Sequence, residues 1–344
     1  MENVSTVSSP RDRNGTAVSS FSSSRFESVP TKTSAGYLGT LLDDVHGVLS
    51  SSNSNRDQVT KAVDQLFHSL RDLRLSVTED HWKDMVRIGR AHPLREWVHQ
   101  DPFTSRAYEK PRGYAGDAVM MDYIYGREEG WDAPPATEVG QAVFDYTTGA
   151  PASAGVRERR CYIAELLDKI GRTKPSSHVL SVAAGHLREA SLSVSVRRQQ
   201  FGRFVAMDTD KESVKEIDQR YGRYGIQSVV ANARQMLTGK LDLGTFDLVY
   251  STGLYDYLAD DTGKQLTANL FRALHSGGKL VVANFLPGVR DVGYMEMYMG
   301  WHLIYRDRAE MMVLAENIPA SQIEEIRIIV ERNENVVIME MTKR

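Results

Sequence analysis

From Gly36 to Gly171, apolar residues recur every three or four positions, the spacing of helices that bury one face. Leu38, Leu41, Leu42, Val45, Val48 and Leu49 form one stripe; Val59, Val63, Leu66, Phe67 and Leu70 form another. Thr78, followed by Glu79 and Asp80, predicts a helix start, because a side-chain oxygen caps free N–H groups and negative charge suits that end. A last helix is predicted over 157–170, with Ile163, Leu166, Leu167 and Ile170 on one stripe and Gly171 as its stop. The pattern breaks at Asp101-Pro102-Phe103-Thr104 and at Lys110-Pro111-Arg112-Gly113-Tyr114-Ala115-Gly116-Asp117. Prolines and glycines there predict a loop across 101–117 rather than a regular helix. Its Arg, Tyr and Asp residues, with Tyr123 and Tyr125 just beyond, make it a candidate functional loop.

After Lys174-Pro175 the pattern changes to alternating strands and helices, which predicts a parallel sheet covered on both faces. Strands are expected over 179–183, 203–207, 227–230, 246–250 and 279–283, the last after a Ser276-Gly277-Gly278 turn. A helix should follow the first strand from Leu187, and a second, capped by Thr209 or Asp210, should run to Tyr221. Apolar runs at 323–330 and 336–341 flank Asn333-Glu334-Asn335 and predict a terminal hairpin. The expected fold is α/β: a Rossmann-like parallel sheet with a terminal antiparallel hairpin strand, plus an N-terminal all-helical domain. The division is a disordered Ser-rich tail at 1–34, a helical cap or substrate domain at 35–172, and a ligand-binding Rossmann-like domain at 173–344. The tail holds too few large apolar residues to offset the entropy of ordering.

A net charge of −3 argues against a nucleic-acid partner, since phosphate neutralisation needs a basic face. There is no apolar run of about 18 residues, so no membrane span is expected. The first residues lack the apolar core of a secretory signal, and the lone Cys161 excludes an internal disulfide; both fit a cytoplasmic protein. The histidines show no H-x-x-x-H spacing, so no metal is expected. Oligomeric state stays open between monomer and homodimer.

The candidate chemistry centres on 178–189, a buried strand, a turn of small residues and the start of a helix. Ala183, Ala184 and Gly185 leave room for a ligand against the backbone. Asp208 closes the second strand about twenty residues later, the place for an acid that binds a ribose hydroxyl pair. A pyrophosphate demands G-x-G-x-x-G, but those positions hold Ala183, Gly185 and Arg188. The predicted cofactor is therefore S-adenosylmethionine, which carries no phosphate. Thr209, Asn232, Ala233, Ser251, Thr252 and Gly253, at the ends of strands two to four, complete the expected cofactor site, with Asn232 toward the adenine edge.

The order of elements, the late hairpin and the Ser-Gly-Gly turn resemble class I S-adenosylmethionine-dependent methyltransferases. Their first motif usually runs acid-x-Gly-x-Gly; here Ser181 replaces the acid and Ala183 the first Gly. KPRGYAGDAVMMDYIY (110–125), YSTGLYDYL (250–258) and ANFLPGVRDVGYMEMYMGWHLIYR (283–306) resemble a bacterial subgroup of PhcB-type enzymes, which turn 3-hydroxy fatty acids into quorum-sensing methyl esters. Azetidine-2-carboxylate synthases, which cyclise S-adenosylmethionine itself, are similar to the same subgroup. An acid would be expected where this chain has Gly300.

The resemblance implies an enzyme of secondary or signalling metabolism that transfers a methyl group to a small-molecule carboxylate or hydroxyl. The alternative is attack of the methionine amine on its own γ-carbon, giving azetidine-2-carboxylate and methylthioadenosine. Such chemistry needs positioning groups more than a base. Arg112, with Gly113, or Arg306 could clamp a carboxylate. Of the aromatic set Tyr114, Tyr255, Tyr257, Tyr294, Tyr298, Trp301 and Tyr305, we expect Tyr114, Tyr255 and Tyr305 to face the sulfonium. Asp117 and Asp256 are candidate partners for an amine or water.

Overall fold

The computed structural model describes residues 31–131, 133–238 and 241–344. Most of the stretch expected as a disordered tail, residues 1–30, lies outside the described residues. The chain opens with helices α1 (Thr31–Leu49), α2 (Arg56–Ser76), α3 (Glu79–Ala91), α4 (Leu94–Val98), α5 (Pro102–Glu109), α6 (Ala118–Glu129), α7 (Glu138–Gly149) and α8 (Pro151–Thr173). Leu38, Leu41, Leu42, Val45 and Leu49 of the first stripe, and Val59, Val63, Leu66, Phe67 and Leu70 of the second, are buried in one core. Thr78 caps α3 by accepting the His81 N–H.

The structure corrects the reading of 101–117 as a loop throughout. Pro102 sits in the first turn of α5, where its missing N–H would have had no helical partner. Asp101 accepts the N–H groups of Phe103 at 2.8 Å and Thr104 at 3.1 Å. The helix ends where Lys110 turns left-handed at φ 52°, leaving 110–117 as the loop. α8 likewise starts on a proline, Pro151, upstream of the expected 157.

Strands β1 (His178–Val182), β2 (Arg203–Asp208), β3 (Ile226–Val230), β4 (Phe246–Ser251), β5 (Leu274–Phe285), β6 (Ile323–Val330) and β7 (Val336–Lys343) form one sheet, in the order β3-β2-β1-β4-β5-β7-β6. The first five run parallel, and β7 is antiparallel to both β5 and β6. β5 begins at Leu274 because the glycines make an irregularity inside the strand instead of a turn before it. Gly277 has φ 74°, and a Cβ on Gly278 would lie 2.9 Å from the His275 carbonyl oxygen.

Shorter helices fill the connections: α9 (Glu189–Leu192), α10 (Val194–Arg197), α11 (Lys211–Tyr221), α12 (Ala233–Leu237), α13 (Asp260–Arg272), α14 (Val292–Tyr298) and α15 (Arg308–Val313). Strand alternation divides the sheet's side chains between two cores. Val179, Ala206, Leu248, Val281 and Ala283 join the helical region's core, while Leu180, Val205, Val249, Leu280 and Val282 pack with Leu266 and Phe271 of α13 and Met311 of α15.

α14 leaves the sheet and enters the helical region. A Cβ on Gly293 would lie 2.4 Å from the Leu70 carbonyl oxygen, and one on Gly89 2.2 Å from the Met297 sulfur. Glu296, buried there, accepts from Arg74 at 2.7 Å and from the Trp82 indole at 2.6 Å. The segment after α14 thereby reaches the same cavity as loop 110–117.

Candidate functional site

β1 ends in a backbone of alternating hand: Ala183, Gly185 and Leu187 all have φ near +54°. For alanine and leucine this conformation is strained, and small side chains at 183–185 keep the turn tight. The helix expected from Leu187 does not form there, because a left-handed residue cannot continue a right-handed helix; α9 starts at Glu189. The turn is tied to β2. Ala184 N–H donates to the Met207 carbonyl at 3.0 Å, and Gly185 N–H donates to Asp208 Oδ2 at 2.8 Å. Asp208 Oδ1 accepts the Asp210 N–H at 2.9 Å, while burial pushes the Asp208 carboxyl above its ordinary value.

Above this turn lies a cavity of about 400 Å³. One wall is the β1 turn with Asp208 and Thr209; another is Thr252, Gly253 and Asp256 after β4. Tyr114 and Gly116 of loop 110–117 meet Tyr257 and Trp301 across it. The loop lies hard against that pair: a Cβ on Gly116 would stand 2.5 Å from Trp301 Cζ2 and 2.6 Å from the Tyr257 oxygen. The Trp301 indole N–H donates to the Tyr257 hydroxyl at 2.8 Å. Asp256 accepts the Phe285 N–H at 2.7 Å, and burial raises its carboxyl to about 6.

Ion pairs fasten the helical region to the β1 turn. Arg112 reaches Asp210 at 2.6 Å, Ser213 at 3.1 Å and His186 at 3.2 Å. Asp122 accepts from Arg188 at 2.6 and 2.7 Å and faces His186 Nδ1 at 2.8 Å.

Tyr114, Ala183, Ala184, Gly185, Asp208, Thr209, Thr252 and Gly253 line the cavity. Other expected residues do not. Arg112 is a fastening residue beside the acid of α11, and Gly113 makes the turn behind it at φ 91°. Asp117 caps α6 through the Val119 and Met120 N–H groups and is gripped by Arg106 at 2.7 Å. Tyr255 points into the opposite core, its hydroxyl 3.0 Å from that of Thr267. Asn232 caps α12, accepting from the Gln235 N–H at 3.0 Å, and Ala233 follows it in that helix, away from the cavity wall. Ser251 is buried at the end of β4. Arg306 is held by the Tyr255 carbonyl, Asn284 and Asp260, all at 2.8 Å, and braces the chain outside the cavity wall. Tyr305 is half-buried against the helical region's core and is not part of the wall, its hydroxyl without a hydrogen-bond partner among the described residues.

The wall also holds Tyr125, noted beside the candidate loop, and residues given no role in the sequence reading, chiefly Arg159 of α8, Glu189 of α9 and Phe285. Nothing local marks Arg159 apart from Arg157 and Arg160 beside it. Asp256, expected as an amine or water partner, and Tyr257 and Trp301 of the aromatic set also line the cavity, although within each motif sequence could not say which residues face inward.

Residues 181–282 match the family model of a methyltransferase domain. The chain has the Rossmann-like methyltransferase fold, a mostly parallel sheet ending in an antiparallel hairpin. The matched part holds the β1 turn, Asp208 and the Thr252-Gly253 corner, whereas Tyr114, Gly116, Arg159 and Trp301 come from outside it. A possible exported protein from Bordetella parapertussis is similar over 92% of this chain and 99% of its own, at 16% identity and a TM-score of 0.54, and shares the fold. The N-methyltransferase NodS from Bradyrhizobium japonicum WM9, in complex with S-adenosylhomocysteine, is similar over 64% of this chain and 98% of its own (14% identity, TM-score 0.41). Magnesium protoporphyrin IX methyltransferase (ChlM) from Synechocystis PCC 6803, with bound S-adenosylmethionine, covers 66% of this chain and 96% of its own (13% identity, TM-score 0.43). No curated protein matches the chain. Among the described residues, no helix is long and apolar enough to cross a membrane.

Proposed function

We propose that the chain is an S-adenosylmethionine-dependent methyltransferase acting on a small-molecule carboxylate or hydroxyl. The observation that carries this is Asp208, joined to a glycine-poor β1 turn and facing an aromatic roof in one cavity. A ribose hydroxyl pair suits the acid, and the absence of a glycine-rich phosphate cradle disfavours a dinucleotide. The cofactor supplies a methyl group on a sulfonium, a good leaving group, so the chain's residues mainly bind, orient and exclude water. Asp208 receives the ribose. Tyr114, Tyr257 and Trp301 line the cavity, and an aromatic face favours a cation by roughly 0.5–2 kcal/mol when water is excluded. Gly116 lets the loop sit on the Trp301–Tyr257 pair and close the roof. The likeness of 110–125, 250–258 and 283–306 to PhcB-type enzymes supports a small acceptor of secondary or signalling metabolism.

A second reading, cyclisation of the cofactor's own methionine part, is favoured by space. The recess that adjoins the cavity at Val156, Phe285 and Trp301 measures about 20 Å³, room for one water-sized group. One experiment separates the two. The protein is incubated with S-adenosylmethionine, alone or with a panel of small carboxylic and hydroxy compounds, and the adenosyl product is identified by mass spectrometry. S-adenosylhomocysteine formed only with an acceptor is the expected result. Methylthioadenosine with azetidine-2-carboxylate and no acceptor would replace it by cyclisation, and no adenosyl product in either condition would refute both.

A further inference from the structure

Two opposite charges in the cavity wall have no ion-pair partner among the described residues. Arg159 is 6% exposed; its Nη1 has no hydrogen-bond partner, and its Nη2 meets only the Met121 sulfur at 3.9 Å. The guanidinium carbon stands 6.0 Å from the centre of the Phe285 ring. The neighbouring arginines are both paired, Arg157 with Glu128 at 2.8 Å and Arg160 with Glu129. Glu189 lines the same cavity, and among the described residues its one side-chain hydrogen bond to another residue is from the Tyr250 hydroxyl, which donates to Oε1 at 2.8 Å. Burial raises the Glu189 carboxyl, which feels Arg160 and Arg159 only beyond ion-pair distance, as Asp256 feels Arg159. Buried groups of opposite sign left without a direct partner are costly, so such a site is completed by a ligand carrying both charges.

The position of Glu189 fits the altered motif. Ser181 stands where the usual motif has its acid; it pairs with Tyr250 across the sheet and hydrogen-bonds its side chain. Tyr250 in turn holds Glu189. An acid is thus present at the β1 end after all, supplied from α9 in place of the strand.

We infer that Glu189 and Arg159 form a receptor for an α-amino-acid zwitterion, ammonium against Glu189 and carboxylate against Arg159. Resting on the cofactor reading above, that zwitterion is the methionine end of S-adenosylmethionine rather than a free amino-acid acceptor. Arg159 and Glu189 are then positioning residues that fix the sulfonium under the aromatic roof.

The test is calorimetry on the full chain and its Arg159→Met and Glu189→Gln variants, with three ligands. S-adenosylhomocysteine carries both charges, decarboxylated S-adenosylmethionine keeps the ammonium without the carboxylate, and 5′-methylthioadenosine has neither. Arg159→Met is expected to weaken S-adenosylhomocysteine by roughly ten- to a hundred-fold, the usual effect of losing hydrogen bonds to a charged group, and to spare the other two ligands. Glu189→Gln, which still accepts the Tyr250 hydroxyl, is expected to weaken both ammonium ligands and to spare 5′-methylthioadenosine. Arg159→Lys should fall between wild type and Arg159→Met. Melting of the unliganded variants guards against misfolding, and Arg159→Met should melt no lower than wild type because it removes an unpaired buried charge. Equal losses for all three ligands would mean a structural role and overturn the inference. Unchanged S-adenosylhomocysteine affinity, with turnover of an added amino acid lost, would move the pair to the acceptor and overturn it too. Failure of wild type to bind any of the three would refute the cofactor reading itself.

Discussion

Replacement of Asp291 by asparagine is a direct probe of how the helical region is locked to the sheet. Asp291 precedes α14 and is 3% exposed, in the small recess with Phe67, Phe103, Ile124, Met295 and Met299. Its Oδ1 accepts the Ala152 N–H at 3.2 Å, and its Oδ2 has no partner among the described residues. Arg290, the cation that partly offsets burial, is itself engaged by Tyr146 at 2.8 Å and Asp64 at 3.4 Å. Burial therefore raises the carboxyl from 3.8 to about 7. Because the folded value is raised, the stability linked to this group is fully present below 3.8 and is lost as pH rises through about 7. At about 1.4 kcal/mol per pH unit in that window, the loss between pH 5 and pH 8 is on the order of 3 kcal/mol. Asparagine keeps the acceptor for Ala152 and does not ionise. Asp101 and Asp256, both raised to about 6 by burial, add slope of the same sign, so the informative quantity is the difference between variant and wild type. Urea unfolding at intervals from pH 5 to pH 8 should show that difference growing by about 3 kcal/mol in favour of Asp291→Asn. A difference that stays constant across the range would show that Asp291 does not titrate as a buried acid.

Two further substitutions address the cavity. Asp208→Ala leaves the Gly185 and Asp210 N–H groups without their acceptor, about 1–3 kcal/mol each, and should abolish S-adenosylhomocysteine binding in calorimetry; unchanged affinity would refute the ribose assignment. Gly116→Ala places a methyl group 2.5 Å from Trp301 and should cost about 1–3 kcal/mol in thermal unfolding while weakening S-adenosylhomocysteine; a variant equal to wild type in both would refute the tight loop contact.

How far the site could be read in advance depended on whether the backbone or tertiary packing aims the side chain. Gly185 and Asp208 were legible because strand ends and a tight turn leave little choice of direction. Tyr255 and Tyr257 are two residues apart on one short turn, yet the first enters the opposite core and the second faces the cavity. Their sequence context is nearly the same, and only the path from β4 into α13 separates them. Arg306 looked like a ligand clamp by residue type, but its donors are taken by carbonyls and carboxylates that come together only in the folded chain. Arg159 shows the converse: among adjacent arginines, the one that meets no acid is the one that faces the cavity.

By itself the sequence determined the buried stripes, the strand succession and the terminal hairpin, because periodicity and caps act over a few residues and survive any global arrangement. It also determined that the β1 turn is too poor in glycine for a pyrophosphate. Only the tertiary structure decided that α14 leaves the sheet for the helical region, that loop 110–117 rests on Trp301 and Tyr257, and that Tyr250 of β4 holds Glu189 at the cavity wall. Those contacts join residues far apart in the chain, where close packing selects one arrangement among many that the local pattern allows.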